Sequence, residues 1–181
     1  MALVQKISPK GIDLPIARLQ TALYSGLTWS TGGNTYQSYE RAYKNEKDGS
    51  KLPEVFMGNS DTGKNEYREV FNNDDFSASS FFLASDNRTG DDLITSDVDI
   101  VFQLDLKKLY PLIVHRADEE AHQDVTSILF GNVSDYKVTN IITGVSNVYA
   151  DLNLTKINPD DMHPFHVFKV TMEVYYNMIG C

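Results

Sequence analysis

The chain has one cysteine, one tryptophan, few basic residues and no long apolar run, and each scarcity closes off a class of protein. A lone Cys181 excludes an internal disulfide framework and fits assembly in a reducing compartment. No stretch approaches the roughly 20 apolar residues that cross a bilayer as a helix. The opening Met1–Lys6 lacks the apolar core of a secretory signal, so no signal peptide is expected there, although a protein without disulfides can also be exported. Lys and Arg number 16 against 25 Asp and Glu, a net charge of −9. The imbalance peaks between Asn59 and Asp99, where ten acids face Lys64, Arg68 and Arg88, a local net of −7. Phosphate is gripped by clustered Lys and Arg, so that window repels nucleic acid. An ordinary solvated acidic face is its plainer reading.

Catalytic motifs are missing too. There is no Gly-x-Ser-x-Gly elbow, no phosphate loop and no dinucleotide fingerprint. His115, Glu119 and His122 are spaced His-x3-Glu-x2-His, which is not the one-turn His pair of a zinc protease. They read as polar decoration on the wet side of a helix. His163 and His166 flank Pro164 at a strand entrance and read as surface residues. Asp74-Asp75, Asp91-Asp92 and Asp160-Asp161 sit in loops, where adjacent carboxylates are usually solvated turn residues. The chain is therefore expected to be no enzyme, with no catalytic residue, no cofactor and no metal.

What the chain does contain is patterning. In Asp97–Leu106, Val98, Ile100, Phe102, Leu104 and Leu106 alternate with polar residues, Val101 excepted, as in a strand with one face in a core and one in water. Past a turn at Tyr110-Pro111, Ala117, Ala121, Val125, Ile128 and Leu129 recur at helical steps. Asp118, Glu119 and Glu120 stand at that helix's start, where its dipole favours anions, and Gly131 follows its end. This strand–helix unit is the expected centre of the fold.

Upstream, residues 1–11 read as an arm. Asp13 is expected to cap a helix running to about Leu27, with Pro15 in its first turn and Ile16, Leu19, Leu23 and Leu27 as its stripe. Trp29 reads as a core plug. Residues 36–57 are expected to form a hairpin: a strand Tyr36–Tyr43, a turn Asn45–Gly49 and a return Leu52–Met57 in which Pro53 favours an edge. Short strands follow at Tyr67–Phe71 and Ser79–Ala84, with a polar loop at Asp86–Thr95. Downstream, Val138–Thr143 is a strand and Val145–Leu152 a second piece. Phe165–Met178 is a closing antiparallel strand presenting Phe168, Val170, Met172, Val174 and Tyr176 on one face. Two helices and six or seven strands in one domain give α+β: an antiparallel or mixed sheet, helices on one face, a protruding hairpin and long loops. The candidate site is an interface. Tyr39, Arg41, Tyr43, Lys44, Glu46, Lys47, Asp48 and Lys51 combine aromatic and charged anchors around the hairpin. Tyrosines that simply cover the sheet are the equal alternative.

Taken in order, the chain resembles the tail-completion and tail-terminator proteins of tailed bacteriophages, with wording most like neck ring proteins of crAss-like phages of Bacteroidales. Gly11–Gln20, Tyr39–Gly49, Asp97–Phe130 and the last strand carry the resemblance. It implies a structural virion protein, assembled in the bacterial cytoplasm, that forms a homo-oligomeric ring of about six or twelve copies in the neck or tail. Such a ring joins portal to tail against adjacent portal, adaptor or tail proteins. DNA passes through without specific binding, and no membrane is involved. The acidic window would then serve the lumen or rim and the hairpin would serve assembly. A monomeric protein-binding module and, less favoured, a small loop-site hydrolase or nuclease stay open as alternatives.

Overall fold

The computed structural model describes residues 3–47, 49–58, 63–70, 76–90, 93–131, 135–153 and 162–177. The fold is α+β, built on two sheets. Its main sheet has five strands: β1 (Tyr36–Arg41), β5 (Ala78–Thr89), β6 (Ile94–Asp105), β8 (Phe165–Tyr176) and β7 (Tyr136–Thr143), in that spatial order. β1 runs parallel to β5, and the other neighbours are antiparallel. The smaller sheet is a meander of β2 (Tyr43–Lys47), β3 (Ser50–Met57) and β4 (Glu66–Glu69).

Helix α1 (Asp13–Gly26) and helix α3 (Asp118–Phe130) cover one face of the main sheet, as the sequence pattern implies. Ile16, Leu19 and Leu23 of α1 and Ala121, Val125 and Leu129 of α3 bury against Val98, Ile100, Phe102, Phe168, Val170 and Met172. The helices meet at Gly26, where a Cβ would lie 2.7 Å from Ile128 Cδ1, so a side chain there would displace Ile128. Trp29 plugs this layer. It is 2 % exposed, edge-on to Tyr36 and Phe102, and its indole N–H donates to the Tyr110 hydroxyl at 3.0 Å. Burial, reinforced by the bond from Tyr110 to Asp124, pushes the Tyr110 hydroxyl well above the usual phenol range.

The other face of the main sheet is not in water. Phe81, Leu83, Val101 and Val167 form a second core with Val55, Met57 and Val70 of the small-sheet layer, and with Val148, Tyr149 and Leu152. That explains the exception at Val101: β6 is buried on both faces over its second half, so apolar residues occur on both parities. Gln103 is polar there because it is hydrogen-bonded, donating to the Tyr149 hydroxyl at 2.6 Å and accepting from Ser79 at 3.0 Å.

Several expectations need correction. The strand Tyr36–Tyr43 is two strands. β1 stays in the main sheet, Ala42 is a buried corner whose N–H donates to Phe82 at 2.7 Å, and β2 leaves to pair with β3. The hairpin is thus one part of a sheet that packs down, tied by Lys44 to Asp151 at 3.0 Å and by Asn153 to Ser50 at 2.8 Å. The polar loop at 86–95 is largely strand: β5 and β6 stay paired to Thr89 and Ile94, with an irregularity between Ser85 and Arg88 where Asp86 takes φ +51. Asp13 is not the helix cap. Ile12 holds that place without a side-chain bond, while Asp13 turns inward to Lys6 and Arg41. The piece at Val145–Leu152 opens as a short helix, α4 (Val145–Val148), launched from Gly144 at φ +85. Another short helix, α2 (Leu106–Leu109), takes the last residue assigned to the central strand, and Asp105 caps it through the Lys107 and Lys108 amides at 3.1 Å each. The arm, from residue 3 on, docks on its own chain: Leu3 bridges Ser38, and Val4 is buried in the second core. Strand β8 is antiparallel as expected, and it is paired on both sides. Asp48, the turns at 72–75 and 158–161, the strand end at Phe71, Asp61, Asp91, Asp92 and Cys181 lie outside the described residues.

Candidate functional site

The hairpin residues divide into those used inside the chain and those facing out. Arg41 belongs to the first group. Its Nε lies 2.8 Å from Asp13 Oδ1, one of its terminal nitrogens donates to the Tyr43 hydroxyl at 3.0 Å, and its Cζ is 4.9 Å from the Tyr43 ring centroid. Asp13, almost fully buried, also accepts from Lys6, and that bond holds the Lys6 ammonium above its usual range. The cluster fastens the arm, α1 and the β1–β2 corner together. Tyr39 packs against the second core, and burial raises its hydroxyl pKa. Lys44 is held by Asp151, whose carboxyl sits below its ordinary range because of that bond. Glu46 and Lys51 are exposed and stand opposite each other in the β2–β3 register. Lys47 closes β2 opposite Ser50.

An outward surface comes from strand alternation. Val55 and Met57 point into the second core, so Glu54 and Phe56 point away from it. Register places Tyr43 and Glu69 on either side of Glu54, and Tyr67 opposite Phe56. The result is an aromatic patch: Phe56 and Tyr67 meet edge-to-face at 5.2 Å, and Tyr67 meets Tyr43 at 6.4 Å. Phe56 is 41 % and Tyr67 52 % exposed. Beside them two carboxylates, Glu54 and Glu69, face each other across adjacent strands, and Asn45 donates to Glu54 at 2.7 Å. Of this patch the sequence reading includes Tyr43 alone. Period two in Leu52–Met57 and in Tyr67–Val70 could have assigned Phe56 and Tyr67 to the outer face, but not their pairing.

The histidines need a further correction. His122 and His166, one from each sequence pair, meet with their Nε2 atoms 3.0 Å apart, and both rings pack on Phe168. His166 is 3 % exposed, because it shares strand parity with Phe168 and Val170. Burial, then the neighbouring His166, lowers the His122 pKa below 6.5, with Glu119 and Asp118 opposing. His115 is exposed on the loop before α3, and His163 is exposed before β8. Among the described residues no three His, Cys, Asp or Glu side chains gather as a metal site. His122 borders a surface cleft of about 460 Å³ that is also lined by Glu119, Gln123, Thr126, Ile141 and Thr143. The geometry of the paired imidazoles suits a hydrogen-bonded strut between α3 and β8.

The described acids of the 59–99 window do not act as one field. Asp97 is bonded by both terminal nitrogens of Arg88 at 2.9 and 2.6 Å, Asp99 by Lys169 at 3.0 Å and Glu66 by Arg68 at 2.7 Å, while Glu69 stands on the small sheet opposite Glu54. Among the described residues no helix is long and apolar enough to cross a membrane. No protein-family model matches the chain, and no curated protein matches it.

Proposed function

We propose that the protein is a structural virion component that assembles with copies of itself into a ring in the neck or tail of a phage, joining portal to tail around the DNA channel. The observation that carries this reading is the small sheet. One of its faces is committed to the second core, while the other, from Glu54 on, exposes Phe56 and Tyr67 beside a half-exposed Tyr43 and the facing carboxylates Glu54 and Glu69. A rigid, aromatic, sheet-borne surface suits protein contact, since aromatic anchors supply most of the contact energy in many interfaces. The order of elements, with a strand–helix unit at its centre, agrees with the resemblance to tail-completion and tail-terminator proteins. The net charge of −9 disfavours a grip on DNA.

The same aromatic face also serves the second reading, a monomeric module that binds a different protein. Solution mass over a concentration series, with electron micrographs of the same samples, separates the two. Rings, or a mass that climbs to a fixed multiple and stops, are the expected result. A monomer at every concentration that takes up a metal stoichiometrically through His122 and His166 would overturn the ring.

A further inference from the structure

A second exposed apolar feature lies on the opposite layer of the molecule. Between α2 and α3 the chain runs through Pro111, Leu112, Ile113 and Val114, with Leu112 93 % and Val114 91 % exposed. Two fully exposed aliphatic side chains in one turn are costly in water, and nothing in the described chain covers them. The loop is nevertheless well anchored. Leu106 belongs to the first core, with Leu109 and Tyr110 packed against it, and Ile113 donates its N–H to the Tyr110 carbonyl at 3.1 Å. Its exposed charge is of the other sign: Lys107 and Lys108 are exposed at its root, Lys108 with Asp105 3.6 Å away, and Arg116 stands at its far end, bonded to Asp118.

We propose that these two surfaces are the two halves of one contact between copies of this chain: the Leu112–Val114 loop of one subunit seats on the Phe56–Tyr67 face of the next. The aliphatic side chains would cover the exposed aromatic edges. Lys107 and Lys108 would approach Glu54 and Glu69, whose carboxylates have no cation opposite them in the small sheet. The surfaces differ and lie on opposite layers, one beyond the second core and one growing from the first. Each subunit therefore offers one of each, and the contact is head-to-tail, which is the kind that closes rings or extends filaments. This pairing rests on the ring reading above and names the surfaces that reading would use.

A charge-swap experiment tests it. Two surface variants are made, Glu54→Lys with Glu69→Lys and Lys107→Glu with Lys108→Glu, and their circular dichroism and melting temperature are matched to the parent. Sedimentation of each alone is expected to show association weakened on the order of tenfold or more, and an equimolar mixture is expected to regain it, since every contact is again between opposite charges. A Tyr67→Cys and Leu112→Cys variant in a Cys181→Ser background is expected to give an oxidised ladder of dimer, trimer and higher species. If the parent assembles but each swapped variant assembles equally well alone and no ladder forms, the pairing is overturned while the ring reading stands. If the parent neither assembles nor cross-links at any concentration, the pairing falls, and the ring reading is then decided by the particle images.

Discussion

The two sheets were built by the same local rules and met different fates. In the main sheet, β6 is covered by helices on one side and by the small-sheet layer on the other, so its second half is buried on both faces. In the small sheet, β3 alternates buried and open from Pro53 to Met57, and its open side there ends in aromatic rings. A sheet buried on both faces is committed to stability. One buried on a single face is free to carry recognition, because substitutions on its outer side hardly touch the core.

The largest test of that difference is the pair Phe102→Ala and Phe56→Ala. Phe102 is fully buried, stacked on Phe168 at 4.8 Å and edge-on to Trp29. Its truncation is expected to cost about 3–5 kcal/mol in denaturant unfolding. Phe56→Ala is expected to cost under about 1 kcal/mol while weakening self-association. Similar losses for both would break the comparison. Next comes Asp13→Ala, which strands Arg41 and unties Lys6 where the two layers are joined. About 2 kcal/mol is expected, reduced from the cost of a fully buried pair because both cations are partly exposed. Faster hydrogen exchange at the Val4 amide, which bonds to the Ser38 carbonyl at 2.9 Å, would show the arm loosening with it.

Smaller still is a pH effect confined to the helical layer. Because the His122 pKa is lowered in the fold, the unfolded chain binds the proton more readily as pH falls below 6.5. Stability is therefore full above that pH and declines below it. Melting temperatures between pH 8 and pH 5 are expected to show the decline in the parent and a flatter profile in His122→Gln, since Gln keeps a hydrogen-bonding group without titrating. A parent profile that stays flat would remove the strut from the account. At the small sheet, Tyr67→Ser is expected to leave the melting temperature nearly unchanged.

Much of this was legible in the residues. Helical spacing marked α1 and α3, alternation marked β6 and β8, and Trp29 was readable as a plug, because burial of a repeating apolar face is a local property of the sequence. The errors share one cause. Ala42, Asp13, His122 and His166 were each judged from near neighbours, but their environments come from residues far along the chain: Phe82, Arg41, and one another. A polar side chain is ambiguous until its partner is known, since the same histidine is solvated decoration or a buried strut depending on what faces it.

By itself, then, the sequence determined the class of fold, the acidic balance and the faces on which the first core would form, since composition and period alone decide these. Tertiary structure decided that a second layer would cover the other face of β6. It also decided that Arg41 would be used internally, and that Phe56, Tyr67, Leu112 and Val114 would remain in water. Which apolar side chains stay uncovered depends on the docking of one sheet against another, and that is set by contacts no local pattern encodes.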